Sequence, residues 1–149
     1  MVKSLITHAD LVIRAKKWLY NRCTVVLTEY RSYSPAIPDA IGFGNAHSYV
    51  VECKVSREDF KSDQHKSHRH FVNQLGNYRY YLVLPHTVCA ADIPDNWGLL
   101  YVMDKKILTI KKAQFIPGND IRAAEWQILF SLARRIKENG LMEKAMEKF

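Results

Sequence analysis

The residues best suited to catalytic chemistry fall in two short extended runs joined by a glycine-rich turn. Asp39 precedes the first run, and Glu52, Cys53 and Lys54 end the second, which is rich in β-branched residues. Side chains alternate along a strand, so Glu52 and Lys54 point to one side and Cys53 to the other. If the two runs pair as a hairpin, Asp39 approaches Glu52, and two carboxylates then share one side of a sheet with an ammonium group.

These side chains are suited to holding a divalent ion. Carboxylates a few ångströms apart repel each other unless a cation lies between them, and hard oxygen ligands suit Mg²⁺ or Mn²⁺. A bound ion of this kind beside a lysine is suited to hydrolysis of a phosphodiester. Asp39 and Glu52 are therefore predicted metal ligands, and Asp39, Glu52 and Lys54 are the predicted catalytic residues.

Pro38-Asp39 followed by Glu52-Cys53-Lys54 resembles the PD-(D/E)XK signature of restriction-endonuclease-like nucleases. The continuation from Val55 to Asp63 is similar, more narrowly, to MmcB-type DNA-repair proteins and to related nucleases of phages and mobile elements. The resemblance covers roughly residues 7–112, most of a single domain. It implies metal-dependent hydrolysis of DNA in repair, recombination, or the processing of phage or mobile-element DNA.

The resemblance also implies roles for neighbouring residues. Glu29 matches the place of an acidic residue that helps to hold the metal in related nucleases, although alone it is only a strand-end carboxylate. The carbonyl of Cys53 is a further candidate backbone ligand. Arg57, Lys61 and Lys66, on the helix predicted next, are candidate phosphate contacts, which position DNA without specifying its sequence.

The role of Lys54 stays open between three alternatives. It would orient the attacking water, deprotonate it, or offset the negative charge of the transition state. A lysine that acts as a base needs burial or a neighbouring cation. We expect Lys54 to lie in a water-filled cleft, where it contributes little to packing.

The composition is that of one ordinary globular domain, taken here as residues 1–149. The net charge is +7, which favours a polyanionic partner such as DNA. The three cysteines have unrelated spacings, so we expect reduced thiols and a cytoplasmic protein. The sequence contains no signal-peptide core and no membrane-length apolar run, and a homodimer is left open.

The order of predicted elements favours an α/β fold with a mixed central sheet flanked by helices in three layers, which matches the restriction-endonuclease-like core. Beside the hairpin that ends at Lys54, we expect strands over 23–29, 78–84, 98–103 and 107–110. We expect helices over 7–21, 57–72 and 120–139. The apolar face of the last helix is expected to comprise Ala124, Ile128, Leu132 and Ile136.

Two alternatives belong to other functional classes. One is a DNA-binding module that keeps the fold without turnover, but such a binder does not need the clustered acids Asp39 and Glu52 near a phosphate. The other is a protein-interaction subunit of a repair or phage complex. A pure adaptor of that kind would show no DNA affinity at low salt.

Overall fold

Helices and strands are interspersed along the chain in the computed structural model, which describes residues 5–64 and 74–147. The helices in these ranges are α1 His8–Tyr20, α2 Arg57–Gln64, α3 Asn119–Glu138 and α4 Met142–Met146. The strands are β1 Val25–Thr28, β2 Ala40–Phe43, β3 Ser48–Lys54, β4 Tyr78–Val83, β5 Gly98–Val102 and β6 Ile107–Lys111. A short 3₁₀ turn covers Ala90–Asp92. None of the helices in the two described ranges is long and apolar enough to cross a membrane.

The strands form one mixed sheet in the order β1-β2-β3-β4-β5-β6. β1, β2 and β3 are antiparallel neighbours, β3, β4 and β5 run parallel, and β5 and β6 form an antiparallel hairpin. Ala40 of β2 lies opposite Val51 of β3. Continuing this register by one residue places Asp39, just before β2, at the level of Glu52.

Helices cover both faces of the sheet. On one face, Leu11 of α1 lies in a buried cluster with Val51 of β3. On the other face, Phe60 of α2 and Ile128 of α3 lie in a second buried cluster with Tyr81 of β4. The prediction of an α/β fold with a mixed sheet between layers of helices is therefore confirmed.

The stripe with which the long helix α3 faces the core overlaps the expected one and adds polar residues. Its buried residues are Ile121, Glu125, Ile128 and Ser131. Of the four residues expected to face the core, only Ile128 is buried, and the other three are partly exposed. The two sets centre on nearly the same side of the helix, and Ala124 packs against the second buried cluster, so the expected face does point toward the sheet but also contains buried polar residues.

Glu125, on this face of α3, belongs to a buried polar network. Glu125 Oε1 accepts a hydrogen bond from the Ser48 hydroxyl and one from the Gly76 amide, the latter at 2.9 Å. Burial raises the pKa of the Glu125 carboxyl, and the two hydrogen bonds and the charge of Arg79 oppose that rise. Ser48 begins β3 and Lys54 ends it, so this network anchors α3 at the end of the sheet opposite to Lys54.

Candidate metal centre

Helix α1 begins with a capping box that positions His8. Thr7 Oγ1 accepts a hydrogen bond from the Asp10 amide at 3.2 Å, and the Asp10 carboxylate accepts one from the Thr7 amide at 2.9 Å. These bonds satisfy amide groups at the start of the helix. His8 is the first helical residue, and its imidazole approaches the residues that follow β1 and precede β2.

Glu29 follows β1 in a left-handed backbone conformation, with a φ of 48°. For a residue with a side chain this conformation costs roughly 1–2 kcal/mol, and it persists where the surroundings impose it. The Glu29 amide donates a hydrogen bond to the Asp39 carbonyl at 3.0 Å. The two acidic residues are therefore held side by side at the edge of the sheet.

His8, Glu29 and Asp39 bring three metal-ligating atoms together. His8 Nε2 lies 3.3 Å from Asp39 Oδ1 and 3.5 Å from Glu29 Oε1, and one ligand atom of each residue lies within 4.8 Å of the others. Neighbouring ligands of an octahedral Mg²⁺ or Mn²⁺ lie about 3 Å apart, so the group needs little movement to hold such an ion. The carboxylates suit both ions, whereas the imidazole favours a transition metal over Mg²⁺.

Asp39 connects this group to strand β3. Its Oδ2 accepts a hydrogen bond from the Cys53 amide at 2.7 Å, and the Cys53 thiol is fully buried in the α1 layer. Burial raises the pKa of this thiol, and the negative charges of Asp39 and Glu52 raise it further. Both carboxylates therefore lie close to this point of β3. The role of the Cys53 carbonyl as a ligand stays a prediction.

Glu52 and Lys54 are both buried, with exposed fractions of 4% and 6%. Lys54 Nζ lies 3.0 Å from Asp63 Oδ1 of α2, and both of these side chains are buried. The expectation of a lysine in a water-filled cleft was wrong, because α2 covers this part of β3 and supplies the counter-charge. Glu52 is not one of the three residues in the metal-ligating cluster found among the described residues.

The three candidate phosphate contacts have different surroundings. Arg57, at the start of α2, pairs with Asp92 through a contact of 2.9 Å between Nη1 and Oδ2. Lys61, one turn further along α2, is exposed. Lys66 lies outside the described residues, as does the predicted helix beyond Gln64. Lys61 is therefore more available to a phosphate than Arg57, whose charge a carboxylate already opposes.

His8 is the residue of this site that sequence reasoning missed. The Thr7 and Asp10 pattern correctly indicated where α1 begins, and a histidine at that start was visible. Its proximity to Glu29 and Asp39 depends on how α1 packs on the sheet, which no local pattern indicates. The available signal was a metal-ligating side chain at the start of the predicted helix.

Comparison with known proteins gives a similarity of fold. No protein-family model matches the chain, and no curated protein matches it. A solved structure of a protein of unknown function from Silicibacter pomeroyi is similar, with a TM-score of 0.63, 20% sequence identity and coverage of 98% of both chains. The chain therefore shares its architecture, over nearly its whole length, with that protein.

Proposed function

We propose that this chain is a nuclease that hydrolyses DNA phosphodiester bonds with the help of Mg²⁺ or Mn²⁺. The observation that carries the proposal is the cluster of His8, Glu29 and Asp39, which lies beside the end of the strand that holds Glu52 and Lys54. The two carboxylates suit a hard divalent ion, and the imidazole favours Mn²⁺ over Mg²⁺. The net charge of +7 suits a polyanionic substrate.

The topology supports the same proposal. Asp39 directly precedes β2, and Glu52 and Lys54 end the neighbouring strand β3. This is the placement that the resemblance to the PD-(D/E)XK signature implies. The helix α1, the three antiparallel strands, the helix α2 and the parallel strand β4 are likewise compatible with a restriction-endonuclease-like core.

The site residues have different roles in the proposed reaction. His8, Glu29 and Asp39 would hold the ion, which when bound supplies a Lewis acid next to the scissile phosphate. Lys54 offsets the negative charge that develops on the phosphoryl oxygens while water attacks and the ester bond breaks. Lys54 Nζ is held 3.0 Å from Asp63 Oδ1, and this fixed position suits the electrostatic role.

A cleavage assay with Mn²⁺ on single-stranded, double-stranded and branched DNA tests the proposal. Wild type is expected to cleave at least one of these substrates. Asp39→Asn is expected to lose that activity, although its amide oxygen can still accept a hydrogen bond from the Cys53 amide. Glu143→Gln, which removes an exposed carboxylate of α4, is the matched control. A wild type that binds DNA but cleaves none of the substrates with Mn²⁺ or Mg²⁺ would support the inactive binding module instead.

Calorimetry with Mn²⁺ tests the ligands separately from turnover. Glu29→Asn is the informative variant, because asparagine accepts a left-handed backbone more readily than glutamate. We expect its Mn²⁺ affinity to fall by about tenfold or more, with an unchanged or higher melting temperature. Unchanged Mn²⁺ binding in both Glu29→Asn and His8→Ala would show that these residues form only an ion pair.

A further inference from the structure

The loop of residues 30–38 begins and ends at the proposed metal centre. It leaves the sheet after Glu29 and returns at Asp39, which are two of the three proposed ligands. Tyr33, near the middle of the loop, follows Glu29 by four residues, so their backbones are at most about 14 Å apart even if the chain is fully extended. A molecule bound to this part of the loop is therefore close to the metal centre.

Contacts with α3 hold the loop in place. The hydroxyl oxygens of Tyr30 and Ser131 lie 3.2 Å apart. Arg135 donates a hydrogen bond to the carbonyl of Arg31, and its guanidinium carbon lies 4.3 Å from the centroid of the Tyr30 ring. Because the loop is already ordered, a ligand that binds to it loses less entropy.

Tyr33 presents an aromatic ring of fixed orientation to solvent. The residue is 77% exposed. Arg134 Nη1 donates a hydrogen bond to its hydroxyl at 2.7 Å, and the guanidinium carbon lies 4.6 Å from the ring centroid. Arg134 therefore fixes the ring while leaving most of its surface accessible, and such a ring can stack on a nucleic-acid base.

Further positively charged residues lie near Tyr33 in the loop and near Arg134 on α3. Arg31 and Lys137 are exposed, and Lys137 follows Arg134 by three residues on neighbouring turns of α3. Glu138 opposes part of this charge, because its Oε1 lies 3.7 Å from Arg134 Nε. Cations outnumber this anion, so the surface suits the phosphate backbone of a nucleic acid.

We infer that Arg31, Tyr33, Arg134 and Lys137 form a binding surface for single-stranded DNA, on which a base stacks against Tyr33 near the metal centre. The inference rests on the proposed nuclease function and names its substrate class as a single strand or an unpaired part of branched DNA. A single strand is favoured because its bases expose their ring faces, whereas neighbouring pairs cover those faces in a duplex.

Fluorescence anisotropy in Ca²⁺, with a labelled oligothymidylate and a duplex of equal length, tests the inference. Tyr33→Ala is expected to weaken single-strand binding about tenfold, the scale of losing one aromatic stacking partner, and to leave duplex binding unchanged. Tyr33→Phe keeps the ring and is the matched control, with single-strand binding expected within about twofold of wild type. The exposure of Tyr33 means that both variants should fold.

A second variant tests the cations. Arg31→Gln combined with Lys137→Gln is expected to reduce the slope of log affinity against log salt by about 1.4 units, since each lost phosphate contact on a single strand contributes about 0.7.

Three outcomes would overturn the inference. Tyr33→Ala could bind a single strand as tightly as wild type, it could lose as much affinity for the duplex as for the single strand, or wild type could bind no DNA. The cleavage assay remains separate: a wild type that cleaves DNA, beside a Tyr33→Ala variant with normal single-strand binding, overturns the stacking surface and leaves the nuclease proposal standing.

Discussion

Lys54 and Asp63 form a buried ion pair that links folding to the proposed catalysis. Their charged atoms are 3.0 Å apart, and both side chains are almost inaccessible to solvent. Removing one partner leaves the other charge buried, which typically costs about 3–5 kcal/mol. Lys54→Ala is therefore expected to lose much of its free energy of unfolding in urea, and its loss of cleavage alone would not assign a role to the lysine.

The double variant Lys54→Met with Asp63→Leu separates the two effects. Replacing both charges with apolar side chains of similar size is often neutral or stabilising, so this variant should recover most of the lost stability. Its single-turnover cleavage should stay about a hundredfold or more below wild type, the scale of removing one electrostatic group. If the folded double variant cleaves as fast as wild type, Lys54 is purely structural.

Local periodicity was enough to place Glu52 and Lys54 on one side of a strand, because alternation along β3 depends only on neighbouring residues. It did not indicate that Lys54 is buried, since that depends on Asp63 of α2 packing over the strand. His8 was missed for the same reason. The candidate site was predictable as a set of residue types near a hairpin, but the burial of Lys54 and the position of His8 come from tertiary packing.

At the scale of elements, Glu125 makes the anchoring of α3 depend on pH. Burial raises the pKa of this carboxyl above its usual value of 4.5. The folded protein therefore keeps the proton at pH values where the unfolded chain has released it. The stabilising contribution of this group is complete below pH 4.5 and is lost as the pH rises through the folded-state pKa.

Glu125→Gln tests this dependence, because it keeps Oε1 as an acceptor for Ser48 and Gly76 but cannot titrate. Urea unfolding at several pH values is expected to show that the free energy of unfolding of the variant, relative to wild type, increases from pH 4.5 to neutral pH. Glu143→Gln, on an exposed position of α4, should show no such trend. A constant difference between Glu125→Gln and wild type would contradict the role of Glu125.

The limits of the helices were easier to predict than the polar residues buried on them. The Thr7 and Asp10 capping pattern indicated the start of α1 because its hydrogen bonds are local. The burial of Glu125 on α3 was not predictable, because apolar periodicity does not count a polar residue whose partners lie far away in the chain. Trp126 and Phe130, on the opposite side of α3, are exposed, at 67% and 55%.

At the scale of the whole molecule, the net charge of +7 leads us to expect DNA binding that weakens with salt. Replacing Lys61 and Lys66 together should reduce the salt slope by about two units if both contact phosphates. Arg57→Gln should change the slope less, because Asp92 already opposes the arginine charge. Binding curves at several salt concentrations measure the salt slope of both variants. An unaltered slope in the double-lysine variant would place the DNA elsewhere, for example at the turn of Lys105 and Lys106.

The class of the fold followed from the order of helices and strands, but part of its topology did not. The sheet order follows the chain order, so each strand pairs with the next. The final hairpin of β5 and β6 was predictable from its short turn. The parallel pairing of β4 and β5 was not, because the connection between them contains a short 3₁₀ turn rather than a helix of the usual length.

The three cysteines differ in a way that helps in labelling the protein. Cys89 is exposed, whereas Cys23 and Cys53 are buried. Burial raises the pKa of the Cys23 thiol to about 11 and raises that of Cys53, so neither readily forms the thiolate that reacts with a maleimide. A maleimide dye should therefore attach to Cys89 without any engineered cysteine. Because Cys89 hydrogen-bonds to Asp92, the partner of Arg57, the dye would report on ligands that approach the start of α2.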